Sequence, residues 1–323
     1  MHSSSALYDL LSLIYGAGVK VRNILYDSGV LKSYRAPLLV VSVGNIEAGG
    51  TGKTPFTMAL AEGLSRRGLK TAIVTRGYKG TLKGPVRVAP NHLIEEVGDE
   101  ALLMARLVDL PVIKSPDRVK GALFAHVHLG SDIIILDDGF QHRRLRRDMD
   151  IVLVSRDITR EKLLPAGMLR EPAASLRRAD VIVAMKGSLC SRLKADLKPM
   201  SFVDLQGEKA GLELIKGKRV LAFCAIGRPE HFFAGLEGLG AQVERLAYKD
   251  HHRYSMADVR EIMDHASGSD LILTTEKDLV KIDPKWFAGL EKRIFVVKAG
   301  IEMTGLEGIL DEIEHMAGHS RIL

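Results

Sequence analysis

An apolar, β-branched run at 38–43 empties into Gly44-Asn45-Ile46-Glu47-Ala48-Gly49-Gly50-Thr51-Gly52-Lys53-Thr54. Apolar residues at helical spacing (Phe56, Ala59, Leu60, Leu64) follow it. A strand, a glycine-rich loop and a helix opening on Lys-Thr is the context that a phosphate-binding loop requires. Glycines at 49, 50 and 52 let backbone N–H groups turn inward without Cβ clashes. The helix that starts there points its partial positive end at the same anion. In such a loop Gly49, Gly50, Thr51, Gly52, Lys53 and Thr54 bind the nucleotide. Lys53 reaches the β- and γ-phosphates, and the Thr54 hydroxyl serves Mg2+.

The pattern departs from the strict one at a single place. Counting back from Gly52-Lys53-Thr54, the usual first glycine falls on Glu47. A glycine-rich turn before an ordinary helix is the alternative reading, and Pro55 fits both because proline is tolerated in a first helical turn.

A second element supports the nucleotide reading. Asp132-Ile133-Ile134-Ile135-Leu136-Asp137-Asp138-Gly139-Phe140-Gln141-His142 is a buried-strand pattern with acids at its C-terminal tip. An isolated apolar strand ending in Asp-Asp-Gly is usually a turn. Downstream of a phosphate loop it is the place where a carboxylate holds Mg2+, directly or through water. Asp137 and Asp138 are therefore metal candidates.

Further strands are expected at 70–75, 110–114, 150–155 and 180–185, with helices between them. That alternation predicts an α/β fold with a parallel sheet covered on both faces. In such a sheet the loops leaving strand C-termini line the ligand crevice, which places Arg76 and Lys79 beside an anion or on a solvated basic turn. Asp99 reads as a first-turn carboxylate. Arg118 opposes a helix dipole, which suggests retention for an anion. Arg143, Arg144, Arg146 and Arg147 form a solvated face or meet phosphate or membrane. Arg170 lies in a loop punctuated by Pro165, Gly167 and Pro172. A second α/β unit begins near residue 200. Ser201 to Gln206 and Leu212 to Ile215 are expected as a small β connection, followed by strands at 219–225, 242–247, 270–274 and 293–298. Asp250 and His251 leave a strand there, as a carboxylate-supported base, a metal site or a solvent-exposed loop.

Residues 6–31 are expected as one amphipathic helix, with Leu7, Leu10, Leu11, Ile14, Val21 and Leu25 recurring at spacings of three, four or seven. It either packs on its own domain or lies on a membrane surface, with Lys20, Arg22, Lys32 and Arg35 near headgroups. Its charge-free stretch is too short for a bilayer core of roughly 30 Å. The start lacks the pattern of a secretory leader, so a cytoplasmic location is expected. Cys190 and Cys224 show neither metal nor redox spacing and read as reduced thiols. The net charge of +6 suits anionic partners, but an aromatic fraction of 5% argues against a base-stacking nucleic-acid binder.

Taken in order, Val43-Gly44-Asn45, Gly49-Gly50-Thr51-Gly52-Lys53-Thr54, Thr75-Arg76-Gly77-Tyr78, Gly98-Asp99-Glu100, Asp117-Arg118, Leu136-Asp137-Asp138-Gly139-Phe140-Gln141-His142, Leu164-Pro165-Ala166-Gly167, Leu169-Arg170-Glu171-Pro172, Asp250-His251 and Thr274-Thr275-Glu276-Lys277-Asp278 resemble the tetraacyldisaccharide 4'-kinase family of lipid A biosynthesis. The resemblance covers nearly the whole chain. It implies a P-loop NTPase-like α/β/α domain and a second, smaller α/β domain joined by a short β linker, with the site in the cleft. The division it suggests is an N-terminal membrane-associated helix at 1–35, a kinase domain at 36–200 and a C-terminal domain at 201–323. It further implies ATP-dependent phosphorylation, with Mg2+, of the 4'-hydroxyl of a tetraacylated glucosamine disaccharide 1-phosphate, yielding lipid IVA. The place would be the cytoplasmic face of a bacterial inner membrane, reached through the N-terminal helix, with no nucleic acid and no obligatory protein partner. By position, Asp99 matches the catalytic carboxylate and His251 its supporting histidine, with Lys53 as the catalytic lysine. Asp137 and Asp138 match the metal acids. Arg118, Gln141 and Arg170 match substrate-contacting positions, with which Arg76 and Glu100 are grouped.

Two other function classes compete. A P-loop nucleotide switch, a GTPase or regulatory ATPase at the membrane surface, should carry an Asn-Lys-x-Asp base-reading motif. Thr275-Glu276-Lys277-Asp278 lacks the asparagine. A non-catalytic basic binding module explains the charge but leaves the phosphate loop and Asp137-Asp138 idle.

Overall fold

The computed structural model describes residues 2–185, 191–290 and 293–320. The first half contains α1 (His2–Asp27), β1 (Leu39–Asn45), α2 (Lys53–Arg66), β2 (Thr71–Thr75), β3 (Val86–Arg87), α3 (Ile94–Val97), α4 (Asp99–Leu107), β4 (Val112–Lys114), α5 (Arg118–Leu129), β5 (Ile133–Asp137), β6 (Met149–Val154) and β7 (Val181–Met185). The second half contains β8 (Leu193–Asp204), β9 (Lys209–Ala210), β10 (Arg219–Cys224), α6 (Pro229–Gly238), β11 (Gln242–Ala247), α7 (Met256–His265), β12 (Leu271–Thr275), α8 (Glu276–Leu279), β13 (Ile294–Met303) and α9 (Leu306–Ser320).

Among the described residues the strands form one continuous sheet in the order β11-β10-β12-β13-β8-β7-β6-β1-β5-β2-β4-β3, with β9 on β8. β1 sits at the middle of the first half, parallel to β5 and β6. Every residue of β1, β5 and β6 is buried. That is why these strands read as mostly apolar runs that do not alternate. Each fully buried Ile, Leu or Val contributes about 1.5–3 kcal/mol relative to exposure.

β8 joins the halves. It pairs in parallel with β7 and antiparallel with β13. The expected connection at 201–206 is the end of this longer strand, and residue 200 lies within it. The four residues Leu212–Ile215, expected as strand, form a 3-10 turn. A short apolar run carries no period that separates the two.

The first half's main core gathers Val41, Val43, Phe56, Leu60, Ile73, Leu102 and Ile135. The same cluster contains Ile309, Leu310, Ile313 and Ala317 of α9. The last helix therefore returns to the first half and braces α2. There Arg67 pairs with Glu307, Asp311 and Glu314. The second half has its own clusters around Phe202, Val220, Phe233 and Leu273, and around Phe223, Val259 and Ile272.

α1 ends at Asp27, short of the expected 31. Gly29 adopts φ +75° just beyond it, a conformation that glycine takes without a Cβ penalty. Cys224 is buried, and burial pushes its thiol up to about 12. Cys190 lies outside the described residues. Arg143, Arg144 and Arg147 pair with Asp27, Asp117 and Asp150, so these cations are engaged within the fold.

Candidate active site

The phosphate loop follows β1. Gly52 sits at the N-cap of α2 with φ +80°, and Gly49 has φ +97°. Both values favour glycine over any side chain. The Asn45 amide donates to Thr51 Oγ1 at 2.9 Å, and Gln141 Nε2 donates to the Asn45 carbonyl at 2.8 Å. Gln141 thus holds the strand end beneath the loop.

Asp137 and Asp138 stand at the tip of neighbouring β5. Asp137 is buried and accepts hydrogen bonds from Thr57 Oγ1 at 3.3 Å and Thr75 Oγ1 at 3.2 Å. Burial, then the charges of Glu100 and Asp138, push its carboxyl up to about 7. Asp138 takes φ +54° and turns toward two cations. Arg170 Nη1 lies 2.9 Å from its Oδ2 and Lys53 Nζ lies 3.5 Å from its Oδ1. Burial works against ionisation of Asp138, but Lys53 and Arg170 outweigh it and hold the carboxyl below its ordinary range.

Asp99 is the first residue of α4 and is buried. Its Oδ2 lies 2.7 Å from His251 Nδ1. His251, in the loop between β11 and α7, has φ +60°. A non-glycine residue in that region costs energy, and such strain clusters at functional sites. Asp250, read from sequence as a support for His251, has its Oδ2 3.8 Å from His251 Nε2. Its closer side-chain partner is Lys277, whose Nζ lies 3.1 Å from Asp250 Oδ1 and 3.9 Å from Glu100 Oε1. The carboxylate on the imidazole is therefore Asp99, from the other half of the chain. Desolvation tends to raise the Asp99 pKa, but the His251 hydrogen bond and the charge of Lys277 hold it below the ordinary value.

Arg118 is buried, donates to the Ser115 and Pro116 carbonyls, and keeps Nε unpartnered. Desolvation lowers its pKa, against the pull of Asp137 and Asp138 and with repulsion from Arg76. Arg76 itself is exposed. Electrostatic neighbourhood thus links Lys53, Arg76, Asp99, Glu100, Arg118, Asp137, Asp138, Arg170 and His251 into one cluster at the C-terminal edge of the sheet. Parallel α/β sheets bind ligands at that edge.

The profile of the family described as Tetraacyldisaccharide-1-P 4'-kinase matches residues 4–315. The chain belongs to the tetraacyldisaccharide 4'-kinase family. The tetraacyldisaccharide 4'-kinase of Syntrophus aciditrophicus is 40% identical over 316 residues, covering 86% of this chain and 84% of its own. That of Koribacter versatilis is 37% identical, covering 94% and 96%. The crystal structure of LpxK from Aquifex aeolicus, in complex with ATP, superposes with a TM-score of 0.79 at 34% identity, covering 98% of this chain and 99% of that one. The P-loop α/β class is thereby that of a 4'-kinase.

Two residues of this cluster and its phosphate loop carry no local sequence signal. Lys277 sits in a locally capped turn, where Thr275 Oγ1 accepts from Asp278 N. Glu47 looked like a missing glycine, yet its carboxylate is fully buried and hydrogen-bonded. No local signal marks either, because each meets its partners across long stretches of chain.

Proposed function

We propose that this cluster transfers the γ-phosphoryl group of ATP to the 4'-hydroxyl of a tetraacyldisaccharide 1-phosphate, and that it does so at the cytoplasmic face of a bacterial inner membrane. The observation that carries the reading is the Asp99–His251 pair, 2.7 Å apart, in one electrostatic cluster with the phosphate-loop lysine. In this reading 36–200 is the kinase lobe, 201–323 the smaller lobe that delivers His251, and β8 and β9 the linker.

The residues at the loop fit Mg2+. Asp137 and Asp138 offer hard oxygen donors, Asp138 within 3.5 Å of the phosphate-loop Lys53, and Asp137 is a carboxyl whose ionisation the fold resists until a cation neutralises it. Among the described residues no group of three or more His, Cys, Asp or Glu is arranged to hold a metal. That suits Mg2+, which takes one or two carboxylates and fills the remainder with water and substrate phosphates. When bound, the ion neutralises charge on the β- and γ-phosphates.

The remaining steps belong to the chain. Backbone N–H groups of 49–54 and Lys53 hold the phosphates. Arg170 and Arg118 face the same acids and stabilise the transferring group, the main lever in phosphoryl transfer. Asp99, kept ionised by His251 and Lys277, accepts the 4'-hydroxyl proton as the sugar oxygen attacks. His251 orients that carboxylate. Arg76, Glu100 and Gln141 lie around the acceptor.

α1 supports contact with lipid. Leu7, Leu10, Leu13, Ile14, Val21 and Ile24 stand exposed along it. A cavity of about 850 Å³ opens between α1 and residues 162–178, with Leu13, Ala17, Ile24 and Leu163 beside Lys20 and Arg178. Among the described residues no helix is long and apolar enough to cross a membrane, so α1 would lie on the surface.

The test is transfer of label from γ-32P-ATP to tetraacyldisaccharide 1-phosphate in detergent micelles, with and without Mg2+. Mg2+-dependent label on the lipid is expected. No label with folded, ATP-bound protein would overturn the acceptor.

A further inference from the structure

An acid inside a phosphate loop repels the ligand unless its charge is spent elsewhere. Glu47 is fully buried, and four donors meet its carboxylate. Ser155 N reaches Oε1 at 2.7 Å. Ser155 Oγ, Arg156 Nε and Arg228 Nη2 reach Oε2 at 2.7, 3.1 and 3.2 Å. Ser155 and Arg156 follow β6 in the first half. Arg228 precedes α6 in the second half. Hydrogen bonds to an ionised acceptor are about twice as strong as neutral ones, so Glu47 is a firm tie between the halves.

The backbone repeats the tie. Gly227 packs so closely on Gly50 that a Cβ on Gly227 would lie 2.8 Å from Gly50 N. The same Cβ would lie 3.3 Å from Asp250 Oδ2, next to His251. On the other flank Ala48 N donates to Met168 O, and Arg170 N donates to Ile46 O. The loop is thus strapped on one side to the segment that carries Arg170, and on the other to the β10–α6 loop, which lies beside Asp250.

We propose that Glu47 is a positioning residue: through Arg228 it locks the phosphate loop to the β10–α6 loop and so sets the register of Lys53 against the Asp99–His251 pair. The proposal rests on reading this loop as the ATP site. It gives the departure from the strict P-loop pattern a purpose, because a glycine at 47 has no side chain with which to reach the second half.

The test uses the full chain with Glu47→Gln, Arg228→Ala, Arg228→Lys and the Glu47→Gln/Arg228→Ala double variant. Three quantities are read: kcat and KM with lipid acceptor, ATP affinity by calorimetry without acceptor, and melting temperature. Glu47→Gln and Arg228→Ala should each lower kcat about tenfold to a hundredfold, the scale of a small misplacement at a reacting centre, and weaken ATP binding. The KM for lipid should hold. The double variant should be no worse than the worse single, as expected of partners in one interaction. Arg228→Lys should restore part of the loss by keeping the charge without the fork. Losses that multiply, or variants that melt earlier with wild-type kcat and ATP affinity, overturn the proposal. If Glu47→Gln does not fold, the two Arg228 variants decide it alone. Wild-type protein that binds ATP but labels no lipid strikes the acceptor reading; the calorimetric coupling between Glu47 and Arg228 then still decides the lock.

Discussion

The Asp99 carboxylate and His251 Nδ1 meet at 2.7 Å although 152 positions separate them in the chain. Asp99 comes from the start of α4, and His251 from a left-handed residue after β11. A carboxylate–imidazole pair split in this way is complete only when both halves of the sheet are in place.

Asp99→Asn removes the acceptor while keeping its shape. Its kcat should fall about 10²–10⁴-fold, the usual worth of general base catalysis, with ATP affinity nearly unchanged. His251→Ala should cost less, because it leaves the carboxylate in place but free to turn. Steady-state rates and calorimetry on the two variants check this. Near-normal turnover of Asp99→Asn would remove the base from the mechanism.

Asp137 sets a conflict between function and stability. Its folded-state pKa of about 7 lies above the ordinary 3.8. A raised carboxyl contributes stability that is fully present below the unfolded value and lost as pH rises through the folded one. In the absence of metal the Asp137 contribution should therefore be lost from about pH 4 to 7. Asp137→Asn, neutral and able to accept from one of Thr57 and Thr75 through Oδ1 while its Nδ2 donates to the other hydroxyl oxygen, should melt higher than wild type at pH 8 and alike near pH 4, with turnover abolished. Added Mg2+ and ATP should narrow the gap at pH 8. A variant that melts lower than wild type at pH 8 would show that the carboxylate is not under strain.

What the sequence reveals follows from where each residue finds its partners. β1 and β5 are legible because burial on both faces makes them continuous apolar runs, and Gly52-Lys53-Thr54 is legible because its chemistry is local. β8 is obscure: charged Lys194, Asp196 and Lys198 interrupt it, and its fit comes from antiparallel pairing with β13. α9 does carry a helical pattern at Leu306, Ile309, Leu310 and Ile313. Its place against α2 is a tertiary fact, fixed by packing around Leu310 and Gly63. The Asp99–His251 pair was reachable only through family resemblance, and local spacing pointed instead to Asp250. The Glu47 tie lay beyond both.

His142 should appear in the pH dependence of stability. Burial, then the neighbouring charge of Arg118, lowers its pKa from 6.5 to about 4, and its Nε2 is unpartnered. A depressed histidine contributes stability that is present above pH 6.5 and lost as pH falls toward 4, because the unfolded chain takes up a proton that the native one refuses. At pH 5 wild-type unfolding should take up about one more proton than unfolding of His142→Asn. Denaturant melts of both proteins between pH 4.5 and 7.5 measure the difference, and parallel curves would contradict the shift.

α1 carries an exposed apolar row. Leu10, Leu13 and Ile14 are 55%, 72% and 62% exposed, so replacing all three with serine costs the folded chain little. Buried in the acyl region of a membrane, each would contribute about 1.5–3 kcal/mol, and together they would dominate the affinity of a surface-bound helix. The triple variant should keep its melting temperature and its kcat on acceptor dispersed in micelles. Its cosedimentation with anionic vesicles should fall at least about a hundredfold, since each 1.4 kcal/mol is a factor of ten. α1 is also tied to the site: Ser12 Oγ donates to the Leu163 carbonyl, and Tyr15 Oη donates to the Arg170 carbonyl. Helix contact with lipid therefore bears on the loop that carries Arg170. Unchanged vesicle binding by the triple variant would mean that this apolar face does not bind a lipid surface.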